Sequence, residues 1–198
     1  MKKIMYSVLL CAVCATAGAQ VSFGPKIGIN NSLASTTNTN IKVDPLYIAL
    51  YAGGFLNYKF AGNFALQVEG LYSGEGAKFK VKGNPTVYTD KLSYFNVPLL
   101  VQLVTHGGFY LETGPQIGFL LSANQSANGA TKSISGNLNS TAFRWDFGLG
   151  FLISHKVGIG LRYSQGLANI NKPVSTSDNI KNNVVSLGLS YSFHSKKS

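Results

Sequence analysis

Residues 143–151 read Phe-Arg-Trp-Asp-Phe-Gly-Leu-Gly-Phe. Phe143, Trp145, Phe147, Leu149 and Phe151 hold the odd positions, and Ile153 continues the series, while Arg144, Asp146, Gly148, Gly150 and Ser154 hold the even ones. A period of two places these sets on opposite faces of a strand, whereas the 3.6-residue period of a helix would smear both around its axis. One face is uniformly large and apolar. The other combines ionic side chains with residues that have almost none.

The pattern recurs along the chain. Val157, Ile159, Leu161 and Tyr163 oppose Gly158, Gly160, Arg162 and Ser164. From Phe109 to Leu121 the odd positions are apolar or small and the even ones are polar or glycine, with Leu120 the one clear breach; Val185 to Phe193 repeats the scheme against Ser186, Gly188, Ser190 and Ser192. Placing the remaining runs predicts eight strands, near residues 21–30, 46–59, 64–79, 92–104, 108–121, 142–154, 157–166 and 183–193. Short turns at Ala61-Gly62-Asn63, His106-Gly107-Gly108 and His155-Lys156 alternate with long polar connections at 31–45, 80–91, 122–141 and 167–182. That rhythm describes an antiparallel up-and-down meander. Pro25 and Pro98 are its weakest points, because proline removes a ladder donor.

Two closed barrels of eight strands fit such a meander. A soluble lipocalin-like barrel keeps its apolar side chains inside and shows charge to water. An outer-membrane barrel shows apolar side chains to lipid and fills a narrow lumen with polar and small ones. Eight strands cannot enclose long series of Phe, Trp, Leu and Ile, but they can enclose glycine, serine and paired ions. Composition agrees, since 45% of residues are hydrophobic and only 12% are charged, about half the usual ~25%. Disorder is excluded by the same figures. The fold class predicted is all-β, an eight-stranded antiparallel up-and-down transmembrane β-barrel of outer-membrane type.

The chain opens with Lys2 and Lys3, an apolar run from Ile4 to about Ala15, and the small-x-small triplet Ala17-Gly18-Ala19. This reads as a signal peptide cleaved after residue 19, leaving one domain over residues 20–198. Both cysteines, Cys11 and Cys14, fall inside it without the context of a lipoprotein signal. Disulfide, zinc-thiolate and cysteine-nucleophile chemistry are therefore not expected of the mature chain. The net charge of +10 raises the question of nucleic acid, but the lysines are scattered instead of forming a stripe, so no nucleic-acid partner is expected.

Catalytic and cofactor signals are weak. His106, His155 and His194 all fall at the short-turn rim, away from the outer leaflet where a lipid-modifying barrel would hold its acid and base, and scattered interfacial histidines are commoner than a metal site. The Gly-x-Gly pairs at Gly148/Gly150 and Gly158/Gly160 lie mid-strand with no helix after them, so they read as lumen positions without room for side chains rather than as a nucleotide loop. No catalytic residue, metal or cofactor is expected.

Parity places Lys26, Gln67, Glu69, Gln102, Glu112, Gln116, Arg144, Asp146 and Arg162 on the inner face. Unpaired charge there would be prohibitive, so Glu69 and Glu112 are expected to find Arg144, Arg162 or Lys26, forming a plug. If parity holds through Gly74 and Gly76, Lys78, Lys80 and Lys82 follow Phe64, Leu66, Val68 and Tyr72 outward and stand just above the apolar band. The expected partners are outer-membrane lipid and lipopolysaccharide, whose phosphates those ammonium groups suit, together with envelope proteins that the sequence does not identify. The barrel is expected to be a monomer.

Five segments resemble the PorT-like outer-membrane β-barrel proteins of Bacteroidota: Val21 to Asn30, Phe64 to Ser73, Tyr94 to Val101, Glu112 to Phe119 and Gly158 to Gly166. The family usually has Pro-Glu-Leu where Val68-Glu69-Gly70 stands, and often an acid in place of Asn96. The resemblance implies an outer-membrane location in a Gram-negative bacterium. It also implies a function among mostly unassigned barrels, one branch of which is tied to a secretion system.

Overall fold

The computed structural model describes residues 21–35, 41–44, 46–83, 86–128, 130–154, 156–167 and 181–193. The leader expected over residues 1–19 lies outside them. Ten strands are present: Val21–Ser35 (β1), Ile41–Asp44 (β2), Ile48–Ala61 (β3), Phe64–Val81 (β4), Val87–Val104 (β5), Phe109–Ala127 (β6), Ala130–Ser133 (β7), Thr141–Leu152 (β8), Val157–Gly166 (β9) and Lys181–Tyr191 (β10). Eight of them form a closed wall in the order β1-β3-β4-β5-β6-β8-β9-β10, every neighbour is antiparallel, and β10 returns to β1 with Lys26 opposite Ser190 and Ser35 opposite Lys181. Closure leaves no sheet edge, the condition for a sheet to stand in hydrocarbon. The remaining two, β2 on β4 and β7 on β6, widen the wall at the long-connection end.

Several strands run further toward that end than the alternation predicts. The first ends at Ser35 instead of near 30, β5 begins at Val87 instead of near 92, and β6 ends at Ala127 instead of near 121. The segments expected as long polar connections at 80–91 and 122–141 therefore contain strand. Their sequences, such as Ser122-Ala-Asn-Gln-Ser-Ala127, are polar on both faces. Outside the lipid band there is no contrast between the faces for a period of two to display.

Both prolines sit where the ladders lapse. Pro25 pairs with Gly54 of β3, and the β10 ladder starts only at Lys26. Beside Pro98, the β4–β5 ladder stops at Val68 opposite Leu99 and resumes at Leu71 opposite Asn96. The breach at Leu120 is a bulge. Tyr94 pairs with Leu120 and Ser93 with Ser122, so Leu121 is the extra residue and inward parity passes from even to odd positions. Leu120 thereby packs against an internal apolar cluster of Leu92, Tyr94, Ala123, Leu138 and Ala142, while Leu121 stays exposed.

Side chains sort by parity through the wall. Phe143, Trp145, Phe147, Leu149 and Phe151 lie on the outer face, with Leu149 47% exposed, and Phe119 on β6 is 41% exposed. Arg144, Asp146, Glu112 and Gln116 on the same two strands are buried inside. Glycine makes the inner space. At Gly148 a Cβ would stand 2.7 Å from the Glu112 Cγ, and at Gly28 one would stand 2.6 Å from the Tyr51 ring. These positions are filled by the larger side chain of the ladder partner on the adjoining strand.

Candidate functional site: the ion-filled lumen

The inner face carries an ionic plug in two layers. In the layer nearer the short turns, Glu69 of β4 accepts from Lys26 Nζ of β1 at 2.8 Å, from Gln67 Nε2 at 2.6 Å, and from the Arg162 guanidinium of β9 at 2.8 and 2.9 Å. Arg162 also donates through Nε to Glu112 Oε1 of β6 at 2.8 Å, and Gln102 of β5 donates to Glu112 Oε2 at 2.9 Å. Asn57 of β3 donates to both Gln67 and Gln102, at 3.0 and 2.8 Å. One arginine thus ties together carboxylates of two strands that stand apart in the wall.

In the layer nearer the long connections, Arg144 of β8 meets Glu75 of β4 in a bidentate pair at 2.7 and 2.6 Å, and its guanidinium lies 5.2 Å from the centre of the Tyr94 ring. Asn96 and Ser73 donate to the same carboxylate at 3.2 and 3.4 Å. Asn30 donates to Ser73 at 2.7 Å and accepts from Ser186 at 2.7 Å, which joins β4, β1 and β10. Between the layers Asp146 Oδ2 stands 3.9 Å from Arg162. With its amide nitrogen turned to Asp146, Gln116 donates there at 3.0 Å and accepts from Arg144 at 3.2 Å. A charge-assisted, bidentate geometry of this kind is the strong form of a hydrogen bond.

All nine inner-face residues named from the sequence are buried in the lumen and meet one another. Arg144 pairs with Glu75 rather than with Glu69 or Glu112, and Glu75 was not among the nine. The signal for it was present, since Glu69, Leu71, Ser73 and Glu75 follow one another at steps of two. Beyond the second layer, the apolar cluster at Tyr94 closes the lumen. Ile134 packs on it from the segment after β7, and the Ile134 amide donates to the Ala123 carbonyl at 2.9 Å.

The β4–β5 register is unbroken from Leu71 opposite Asn96 to Lys80 opposite Val87. Lys78 and Lys80 therefore share the face of Tyr72, and both are exposed, as is Lys82 in the turn after β4. Gly76 allows the Tyr47 ring to lie against the wall there, at a spot where a Cβ would come within 2.9 Å of that ring. His106 is exposed in the turn between β5 and β6, while His155 and His194 lie outside the described residues. Among the described residues no three His, Cys, Asp or Glu side chains form a metal-binding group.

The outer membrane protein β-barrel domain family matches residues 16–172. The chain belongs to that family. This outer-membrane barrel shares its fold with the attachment invasion locus protein Ail of Yersinia pestis, at 16% identity and a TM-score of 0.53 over 88% of this chain and 99% of that one. It is similar in the same way to Neisserial surface protein A, at 14% identity and a TM-score of 0.51 over 87% of this chain and 99% of the other. No curated protein sequence matches the barrel. Family and fold place it in the Gram-negative outer membrane, with the lipid-facing band formed by the residues that alternate outward.

Proposed function

We propose that this protein is a plugged outer-membrane barrel that serves as a structural or surface-exposed binding module and has no catalytic role. The observation that carries the reading is the Lys26–Glu69–Arg162–Glu112 network, which draws side chains of four strands across the lumen at 2.8 to 2.9 Å. The Arg144–Glu75 pair backs it one layer further out. Charges so paired do not leave a hydrated path, because each holds its partner in place of water. The purified protein in planar bilayers is expected to give no stable, large single-channel current; a steady large conductance would overturn the plug.

The long-connection end supports the surface role. There β4, β5 and β6 project with β2 and β7 added, and Lys78, Lys80 and Lys82 stand exposed. We take these lysines as a contact for lipopolysaccharide phosphates. The resemblance to PorT-like barrels of Bacteroidota also leaves room for a place in an envelope or secretion assembly. Affinity purification from the envelope separates the two: a stand-alone barrel brings down no stoichiometric protein, and a stoichiometric partner replaces this reading with the assembly.

A further inference from the structure

The plug does not reach the short-turn mouth. Below Lys26 and Gln102 lies a cavity of about 130 Å³, bounded by Ser22 at the start of β1, Lys156 in the turn before β9, and Ser190 near the end of β10. A single water needs roughly 10–15 Å³, so the space admits a small molecule.

Its chemistry is one-sided. Among the described residues no carboxylate lines it. Glu69 and Glu112 stand beyond the amide floor inside the lumen, and their oxygens are taken by Lys26, Arg162, Gln67 and Gln102. The floor of the cavity is the closed amide set of Asn57, Gln67 and Gln102. Facing the space are cations and hydroxyls. Lys26 uses one ammonium hydrogen on Glu69, which leaves two, and Lys156 makes no ion pair with any described residue. Val104, Leu152 and the rings of Phe55 and Tyr110 also line the cavity and lower the local dielectric, which strengthens whatever the two ammonium groups attract.

We propose that the short-turn mouth of the barrel binds a small oxyanion, a carboxylate or a phosphate group, between Lys156 and Lys26 with the Ser22 hydroxyl as a further donor. The site shares Lys26 with the first ion layer but opens below it, and its test reads anion uptake rather than conduction.

Isothermal titration of the folded protein in a neutral detergent tests it, with inorganic phosphate, acetate and uncharged glucose as separate titrants. Phosphate or acetate is expected to bind one to one and glucose is not. Lys156→Glu, at an exposed position outside the plug, is expected to weaken the anion by about tenfold or more. Lys91→Glu changes the net charge equally at an exposed site on β5 and is expected to leave binding unchanged. Heat-modifiable migration on a gel confirms that each variant is folded. Three results overturn the proposal: no anion uptake up to tens of millimolar, equal weakening by both lysine variants, or glucose binding as well as phosphate.

Discussion

Removing one partner of the Arg144–Glu75 pair tests whether the lumen is dry. The guanidinium contacts both carboxylate oxygens, at 2.7 and 2.6 Å, and the side chains are 2% and 0% exposed. Arg144→Met leaves the Glu75 charge facing the Asn96 amide at 3.2 Å and the Ser73 hydroxyl at 3.4 Å in place of a cation. Breaking a buried pair in this way costs about 3–5 kcal/mol, because the surviving buried charge loses its counter-ion. A pair bathed in water contributes only about 0.2–1 kcal/mol, so the two pictures of the lumen differ several-fold. Glu75→Gln, which strands the arginine instead, is expected to cost a similar amount. Replacing both with Met is expected to recover most of the loss, since an apolar pair of like volume is close to neutral. Urea unfolding in phosphocholine vesicles reads the differences through Trp145, the only tryptophan of the chain and one on the lipid-facing side. Single-variant losses below about 1 kcal/mol would refute a dry plug and restore hydrated charges.

Three further outcomes follow from the same geometry. Leu149→Arg, on the outer face of β8, is expected to cost about 2–4 kcal/mol in vesicles, while Lys132→Gln in exposed β7 costs little; equal effects would mean that Leu149 does not meet lipid. Gly148→Val sets a side chain against Glu112 and is expected to cost about 1–3 kcal/mol by overpacking, read as a lower urea midpoint. Changing Lys78, Lys80 and Lys82 together to Gln is expected to reduce co-purified lipopolysaccharide while folding in neutral detergent is unchanged; undiminished retention removes the lipopolysaccharide contact.

Parity is a local property, and what it governs could be read from the chain. The alternation at Phe143–Phe151 separates lipid from lumen residue by residue, and eight such runs with alternating connection lengths give the wall. Height across the barrel is not local. Arg144 and Glu75 are 69 residues apart, and whether Arg144 meets Glu69, Glu75 or Glu112 depends on the stagger accumulated over several ladders. A bulge such as that at Leu121 shifts that stagger by one residue, and its sequence signal is only two adjacent leucines. The strand ends near Ser35, Val87 and Ala127 were hidden for a different reason: beyond the bilayer both faces meet water, and the hydrophobic contrast disappears.

The closure of β1 on β10 has a kinetic consequence. The other ladders of the wall join neighbours in the meander, but this one brings residues 26–35 to residues 181–190. Such a distant contact must be met by loop-closure entropy before it returns any energy. Until it forms, an inserted sheet would turn Lys26, Arg144 and Arg162 and the acids beside them toward acyl chains instead of toward one another. Zipping of the seam and pairing of the ions are therefore one event. The same coupling acts in reverse, because parting β1 from β10 pulls Arg162 away from Glu69 and Asn30 away from Ser186. The barrier to opening is correspondingly high, and the lifetime of the folded barrel is set by that barrier as much as by its equilibrium stability.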